Sequence, residues 1–247
     1  MMEIHYSINF RLNQIMRLLK STFSFIGLIL FCLCPAAIAY EPIKAEKGVL
    51  LFEDDFSRSK LGDKWTSHPN SFFIEESAMR ATQLKDAGYG AVTRAIFNFK
   101  DVWISFDFKY EGGERFNFVV DDKNDKSVHA GHISRLTMNK HRLIVQDDKT
   151  GTMNLVIRKQ RLSGDSSPEL EKLLETKRSE VDFDFKDGQW YHMEVLIKGD
   201  RMEVHLDGKF LVGHQSDGFA HPTKTQFVFT VTGQSIYYDN VEAWSLK

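Results

Sequence analysis

Glu180, Asp182 and Asp184 stand two residues apart from one another, and on an extended strand that spacing puts all three carboxylates on one face. Two acids so placed could act as nucleophile and acid/base in cleaving a glycosidic bond. Retaining cleavage needs carboxyl groups about 5–5.5 Å apart, and Asp184 is one methylene shorter than a glutamate, which strains that reach. The competing reading is a strand whose charged side faces water, as charged side chains mostly do.

A second constellation suits holding a sugar. Trp103, Asp107, Lys109, Arg115, Asn117 and His132 combine an aromatic platform for the C–H face of a pyranose with carboxylate, amide and guanidinium groups for its hydroxyls. Asp107 and His132 are also alternatives as acid or base. A polar sheet exterior with nothing bound explains the same residues, since antiparallel sheets commonly leave one face to solvent. His129 and His132 could be read as a metal pair, but the sequence gives them no helical frame and no evident carboxylate third ligand. Asp54, Asp55 and Asp239 offer hard oxygens for a structural Ca2+, although full coordination takes 6–8 oxygens. No cofactor is otherwise expected. The sequence contains no glycine-rich phosphate loop and no Gly-x-Ser-x-Gly elbow, which argues against nucleotide chemistry and serine hydrolysis.

The elements that must position these residues are short alternating runs separated by turn residues, the pattern of an all-β sandwich. In 102–110 the even positions are apolar and the odd ones include Trp103, Asp107 and Lys109. Glu111-Gly112-Gly113-Glu114 reads as a hairpin turn into 115–121, with Phe116, Phe118 and Val120 inward; Arg115, Asn117 and Asp121 are then expected on the same outer face as Asp107 and Lys109. Further hairpins are predicted at Asn139-Lys140, Lys198-Gly199-Asp200 and Asp207-Gly208, and strands over 227–231 and 236–244 close the domain. One segment breaks the pattern: Ser166-Ser167-Pro168 followed by early acids predicts one short surface helix over 166–175.

Ahead of this lies an export signal. Arg11, Arg17 and Lys20 precede an apolar run over 23–33, and Ala37-Ile38-Ala39 supplies a cleavage pattern, so cleavage is expected after Ala39. The apolar run is shorter than the ~20 residues a spanning helix needs. A secreted or periplasmic location follows, with no membrane span after cleavage. Removing the first 39 of 247 residues leaves one domain, 40–247, with 29 basic and 33 acidic residues, a net charge of −4, which gives no reason to expect nucleic acid as a partner. Cys32 and Cys34 both fall inside the signal, excluding disulfides and thiol catalysis from the remainder.

The stretch Gly188-Gln189-Trp190-Tyr191-His192-Met193-Glu194-Val195, with Asp207-Gly208 after it, resembles the Gly-x-Trp hairpin of concanavalin A-like lectin/glucanase domains. Residues 51–56 with Trp65, and 238–244, resemble the first and last strands of that superfamily. Within it the chain is most similar to exported bacterial 3-keto-disaccharide hydrolase or family-16-like domains. The resemblance implies an antiparallel two-sheet jelly roll and a carbohydrate, oligo- or polysaccharide, as partner. It also gives the Glu180, Asp182, Asp184 pattern a parallel in the Glu-x-Asp-x-Glu strand of family 16 glucanases. Where the 3-keto-disaccharide hydrolase group carries Asn-Ser-Gly-Ile-like and Glu-x-Gln-Ile-like strands, this chain reads Arg115-Phe116-Asn117-Phe118 and His132-Ile133-Ser134-Arg135. Three functions remain open: glycan binding on the polar face of one sheet, glycoside or 3-keto-disaccharide hydrolysis, and a structural envelope module.

Overall fold

The computed structural model describes residues 40–67 and 71–247; the expected signal segment lies outside the described residues. The strands are β1 (Lys47–Asp54), β2 (Trp65–Ser67), β3 (Phe72–Glu75), β4 (Ala78–Ala81), β5 (Ala91–Phe99), β6 (Val102–Asp121) and β7 (His132–Asn139). They continue with β8 (Arg142–Asp147), β9 (Arg178–Asp182), β10 (Trp190–Lys198), β11 (Arg201–Leu206), β12 (Lys209–Gln215) and β13 (Lys224–Leu246). Helices α1 (Leu155–Leu162) and α2 (Pro168–Glu175) lie between β8 and β9.

Two long strands organise the whole. β6 and β13 pair antiparallel along their length, and the ribbon they form is folded over. Phe106 and Phe118 are twelve residues apart, about 40 Å on a straight strand, yet their rings stack at 5.9 Å. Phe229 and Tyr238 on β13 stack at 4.2 Å. The fold line falls at glycines: Gly112 and Gly233 take φ of 80° and 86°, a left-handed conformation that costs glycine least. Register shifts accompany them on the paired strands, as bulges do where strands turn a corner.

Each half of the ribbon is the centre of one sheet. The first sheet runs β12-β11-β10, then 102–110 of β6, then 236–246 of β13, with β4, β3 and β1 beyond. The second runs β9-β8-β7, then 115–121 of β6, then 224–231 of β13, then β5 and β2. The result is the β-sandwich that the alternation predicts, with the antiparallel jelly-roll form that the family resemblance implies. The expected hairpin at Glu111-Gly112-Gly113-Glu114 is instead a bend in one continuous strand, and the two expected closing strands are one strand, β13, bent opposite it.

Alternation sets the core. Ile104, Phe106, Phe108, Tyr110, Phe116, Phe118 and Val120 are fully buried, each large side chain contributing about 1.5–3 kcal/mol. α2 starts where Ser167 and Pro168 predict. α1 is an addition to the one expected helix: its first residues, Leu155-Val156-Ile157, have strand-like composition, but the Asn154 side chain caps the amides of Val156 and Ile157. Only Ile157 and Leu170 of the two helices are buried, so both ride on the surface.

Candidate functional site

Because β6 folds over, the six residues expected on one ligand face belong to two. Trp103, Asp107 and Lys109 lie on the outer face of the first sheet; Arg115, Asn117 and His132 lie on the outer face of the second, across the core. The correction follows from pairing: 102–110 lie beside β10, and 115–121 lie beside β7.

On the second sheet the outer face sets Asn117, Arg135, Thr137 and Thr230 around the apolar Val119, Ile144 and Val228. At its end near the bend is an open depression of about 750 Å³, lined by Gly112, Gly113, Glu114, the β7–β8 turn from Asn139 to Arg142, Asp182 and Asp184. Arg142 donates to Asp182 at 2.9 Å and reaches Glu180 at 3.4 Å. His141 Nδ1 sits 2.8 Å from Asp184 Oδ1. Lys140 pairs with Asp187 at 2.6 Å, and this contact holds the Asp187 carboxyl below its ordinary pKa. The glycines leave the floor open, and the turn supplies an amide, two cations and an imidazole at one rim.

Glu180 and Asp182 lie on β9, which among the described residues pairs only with β8, and Asp184 follows the end of that strand. Glu180 and Asp182 flank one guanidinium, and Asp184 faces an imidazole while 87% exposed. These are solvent-exposed acids on and just beyond an edge strand, the arrangement that charged residues on a solvent face adopt.

Along the sheet from the depression, Asn117 donates to Thr230 at 2.7 Å and accepts from Thr137 at 2.9 Å. Arg135 is paired with the buried Asp148 at 2.8 Å, which also accepts from Gln146 and Thr152. At the far end His132 Nδ1 lies 2.6 Å from Asp121 Oδ1, and Gln226 donates to the other oxygen at 2.9 Å. The His129 ring is 6.3 Å from that of His132; burial, then the charge of Arg158 on α1, pushes the His129 pKa down. Sequence reasoning missed Arg135 and Arg142. A register shift between Val120 and Asp121 puts His132 on the same face as Arg135 and Thr137 despite their opposite parity, and no local pattern carries that signal.

The outer face of the first sheet is different in kind. Asp107 accepts from Asn240 at 2.8 Å and faces His192 Nδ1 at 2.6 Å. Trp103 donates to Glu194 at 3.1 Å, with Lys47 above its ring. Lys109 lies over the rings of both Trp190 and Tyr237, 5.3 and 4.7 Å from their centroids. His192 and Trp190 were not singled out as ligand groups because their places opposite Asp107 and Lys109 depend on register between distant segments.

Of the expected Ca2+ ligands, Asp54 accepts from Arg58 at 2.6 Å, from the Trp65 indole at 2.7 Å and from the Phe56 amide. Burial, with Asp107, Asp55 and Asp54 nearby, raises the pKa of Asp239. Among the described residues no group of three or more His, Cys, Asp or Glu side chains is placed to hold a metal ion, and no helix is long and apolar enough to cross a membrane.

The two-sheet architecture and its bent central ribbon make this a concanavalin A-like domain. Residues 50–243 match the family of 3-keto-alpha-glucoside-1,2-lyase-like domains, and the chain belongs to that family. No curated protein sequence matches the chain. Among solved structures, a sialidase shares the fold with a TM-score of 0.56 and 17% identity over 79% of this chain, which spans only 18% of the sialidase's length. SCLam, a non-specific endo-beta-1,3(4)-glucanase from family GH16, superposes with a TM-score of 0.58 and 11% identity, covering 83% of this chain and 94% of its own. The carbohydrate recognition domain of Emp47p gives 0.51 and 14%, covering 82% and 97%. At these identities the likeness is one of fold.

Proposed function

We propose that this domain binds a carbohydrate on the outer face of its second sheet, with the depression beside the ribbon bend as the principal subsite. The observation that carries this reading is the depression's lining: two glycines and seven polar side chains, carboxylates beside guanidinium, ammonium, imidazole and amide groups. Sugar hydroxyls both donate and accept, so a mixed lining of this sort suits them better than a single-sign one. Asn117, Thr137, Thr230 and Arg135 extend it along the sheet. Membership of a family named for a 3-keto-glucoside lyase directs the choice of ligand toward glycosides and their 3-keto derivatives.

A second reading is elimination, and the His132–Asp121–Gln226 array favours it. A ketone at C3 of a glucoside acidifies the proton on C2. A base that removes this proton lets the electrons form a C1–C2 double bond while the C1–oxygen bond breaks, the departing oxygen taking up a proton. One oriented base begins this, where hydrolysis requires paired carboxylates. Asp121 engages the His132 ring through Nδ1 at 2.6 Å, which leaves Nε2 as the nitrogen to act as base.

The test is incubation of the purified protein with oligosaccharides and 3-keto-glucosides, with bound and released sugars read by calorimetry and mass spectrometry. Binding without product, weakened about tenfold or more in Arg142→Ala, supports the first reading. Product release abolished in His132→Ala, with ligand binding retained, replaces it with the second. Neither binding nor release would sink both.

A further inference from the structure

The outer face of the first sheet carries a row of side chains that crosses five strands in register. Trp190 on β10 stands opposite Lys109 on β6, Lys109 opposite Tyr237 on β13, Tyr237 opposite Arg80 on β4, and Arg80 opposite Phe73 on β3. Contacts confirm that all five point the same way. Lys109 lies over both Trp190 and Tyr237, and Arg80 lies over both Tyr237 and Phe73, 5.7 and 5.5 Å from their centroids. Aromatic and cationic side chains therefore alternate in one line.

We infer that this row is a second carbohydrate surface, built for an extended, uncharged, β-1,4-linked glycan chain lying across the strands. Spacing is the first argument. Strands are about 4.8 Å apart, so aromatic rings on alternate strands recur every ~10 Å, close to the repeat at which an extended β-1,4 chain presents the same ring face. Trp190 and Phe73, the two outward platforms at 42% and 38% exposure, are roughly 19 Å apart, the length of an extended tetrasaccharide. Between them the stems of Lys109 and Arg80 cover Tyr237 and level the surface, as long cationic side chains do over apolar neighbours.

Charge is the second argument. Lys109 is paired with Glu111 at 3.1 Å and Arg80 with Glu75 at 2.9 Å, and the Tyr237 hydroxyl donates to Glu75. The row is locally neutral, so nothing in it draws an acidic polysaccharide. Hydroxyl partners lie one side-chain repeat along the strands, where His192 and Asp107 are 46% and 26% exposed. The row ends at Trp190 and Lys109, before the bend at Gly112, whereas the depression is lined from Gly112 onward by residues of the bend and the second sheet.

Affinity electrophoresis of the purified protein tests the inference, with hydroxyethyl cellulose or xylan in the gel and laminarin, a β-1,3 glucan, as the comparison polymer. The expected result is retardation by hydroxyethyl cellulose or xylan but not by laminarin. A Trp190→Ala, Phe73→Ala double variant, shown folded by circular dichroism, should lose at least tenfold in affinity, and Arg142→Ala should be retarded like the parent. Phe73→Ala alone, on an edge strand, tests the same row if the double variant folds poorly. Absence of retardation in both β-1,4 polymers, equal retardation by laminarin, or unchanged retardation of the folded variants would overturn the inference. Loss of retardation in Arg142→Ala alone would overturn it too, by placing the polymer on the second sheet.

Discussion

The two outer faces of this sandwich are built on the same polar motif and end up with different chemistry. On each, β6 supplies an aspartate, a neighbouring strand a histidine directly across from it, and β13 an amide that holds the second carboxylate oxygen: Asp107, His192 and Asn240 on the first sheet, Asp121, His132 and Gln226 on the second. The His–Asp separation is 2.6 Å in both. Around the first stand Trp103, Trp190 and Tyr237 with cations over their rings; around the second stand Asn117, Thr137 and an Arg135–Asp148 pair. The Asp107 and His192 side chains are more open to solvent than Asp121 and His132. A histidine oriented by an aspartate is thus a packing solution that a folded ribbon can reach twice. What distinguishes the two faces is what surrounds that pair.

The largest effect is expected at the bend that separates the faces. A Cβ on Gly113 would run into Ile236 Cδ1 and close on the Ser235 carbonyl, so Gly113→Val should cost about 3 kcal/mol or more, or abolish folding. Thermal unfolding checks this, and a variant as stable as the parent would mean that the ribbon can turn without glycine there.

Next come the two aspartates. Asp121→Ala leaves a buried site with His132 and Gln226 unpartnered and should cost about 2–3 kcal/mol, while Asp107→Ala, in a more solvated setting, should cost about 1 kcal/mol or less. Urea midpoints read the difference, and equal losses would erase the contrast in burial between the faces.

Acid stability gives a smaller effect. Burial pushes the Asp54 pKa upward, but the hydrogen bonds from Arg58, Trp65 and Phe56 outweigh it and hold it below its ordinary value of 3.8. Asp122 is likewise held low, burial being outweighed by Thr223, Asn124 and His221. A carboxyl with a depressed folded pKa stabilises the protein fully above its unfolded pKa and loses that contribution as pH falls through the folded value. Stability should therefore decline below about pH 4, and Asp54→Asn and Asp122→Asn should each flatten that decline by about 1 kcal/mol. The smallest effect is at the exposed acids: Glu180→Gln and Asp184→Asn should move stability by no more than about 0.5 kcal/mol.

The fold was legible because alternation in 102–110 and 115–121 reports which side chains enter the core, and because Asp207-Gly208 and Asn139-Lys140 mark true turns. The division between faces was not. Glu111-Gly112-Gly113-Glu114 has the composition of a hairpin turn, and what makes it a bend is the pairing of β6 with β13 more than a hundred residues later. That non-local pairing separated Trp103, Asp107 and Lys109 from Arg115, Asn117 and His132. Helix α1 escaped notice for the opposite reason: Leu155-Val156-Ile157 has strand propensity, and a single capping side chain, Asn154, decides otherwise.

The claim that the second sheet holds the carbohydrate is tested most directly by calorimetric titration of disaccharides, native and 3-keto and too short to span the row from Trp190 to Phe73, into Arg142→Ala, Asn117→Ala and Trp190→Ala proteins. The account predicts at least tenfold weaker binding, about 1.4 kcal/mol, for the first two and parental affinity for the third. Parental affinity in Arg142→Ala and Asn117→Ala, with loss confined to Trp190→Ala, would contradict it.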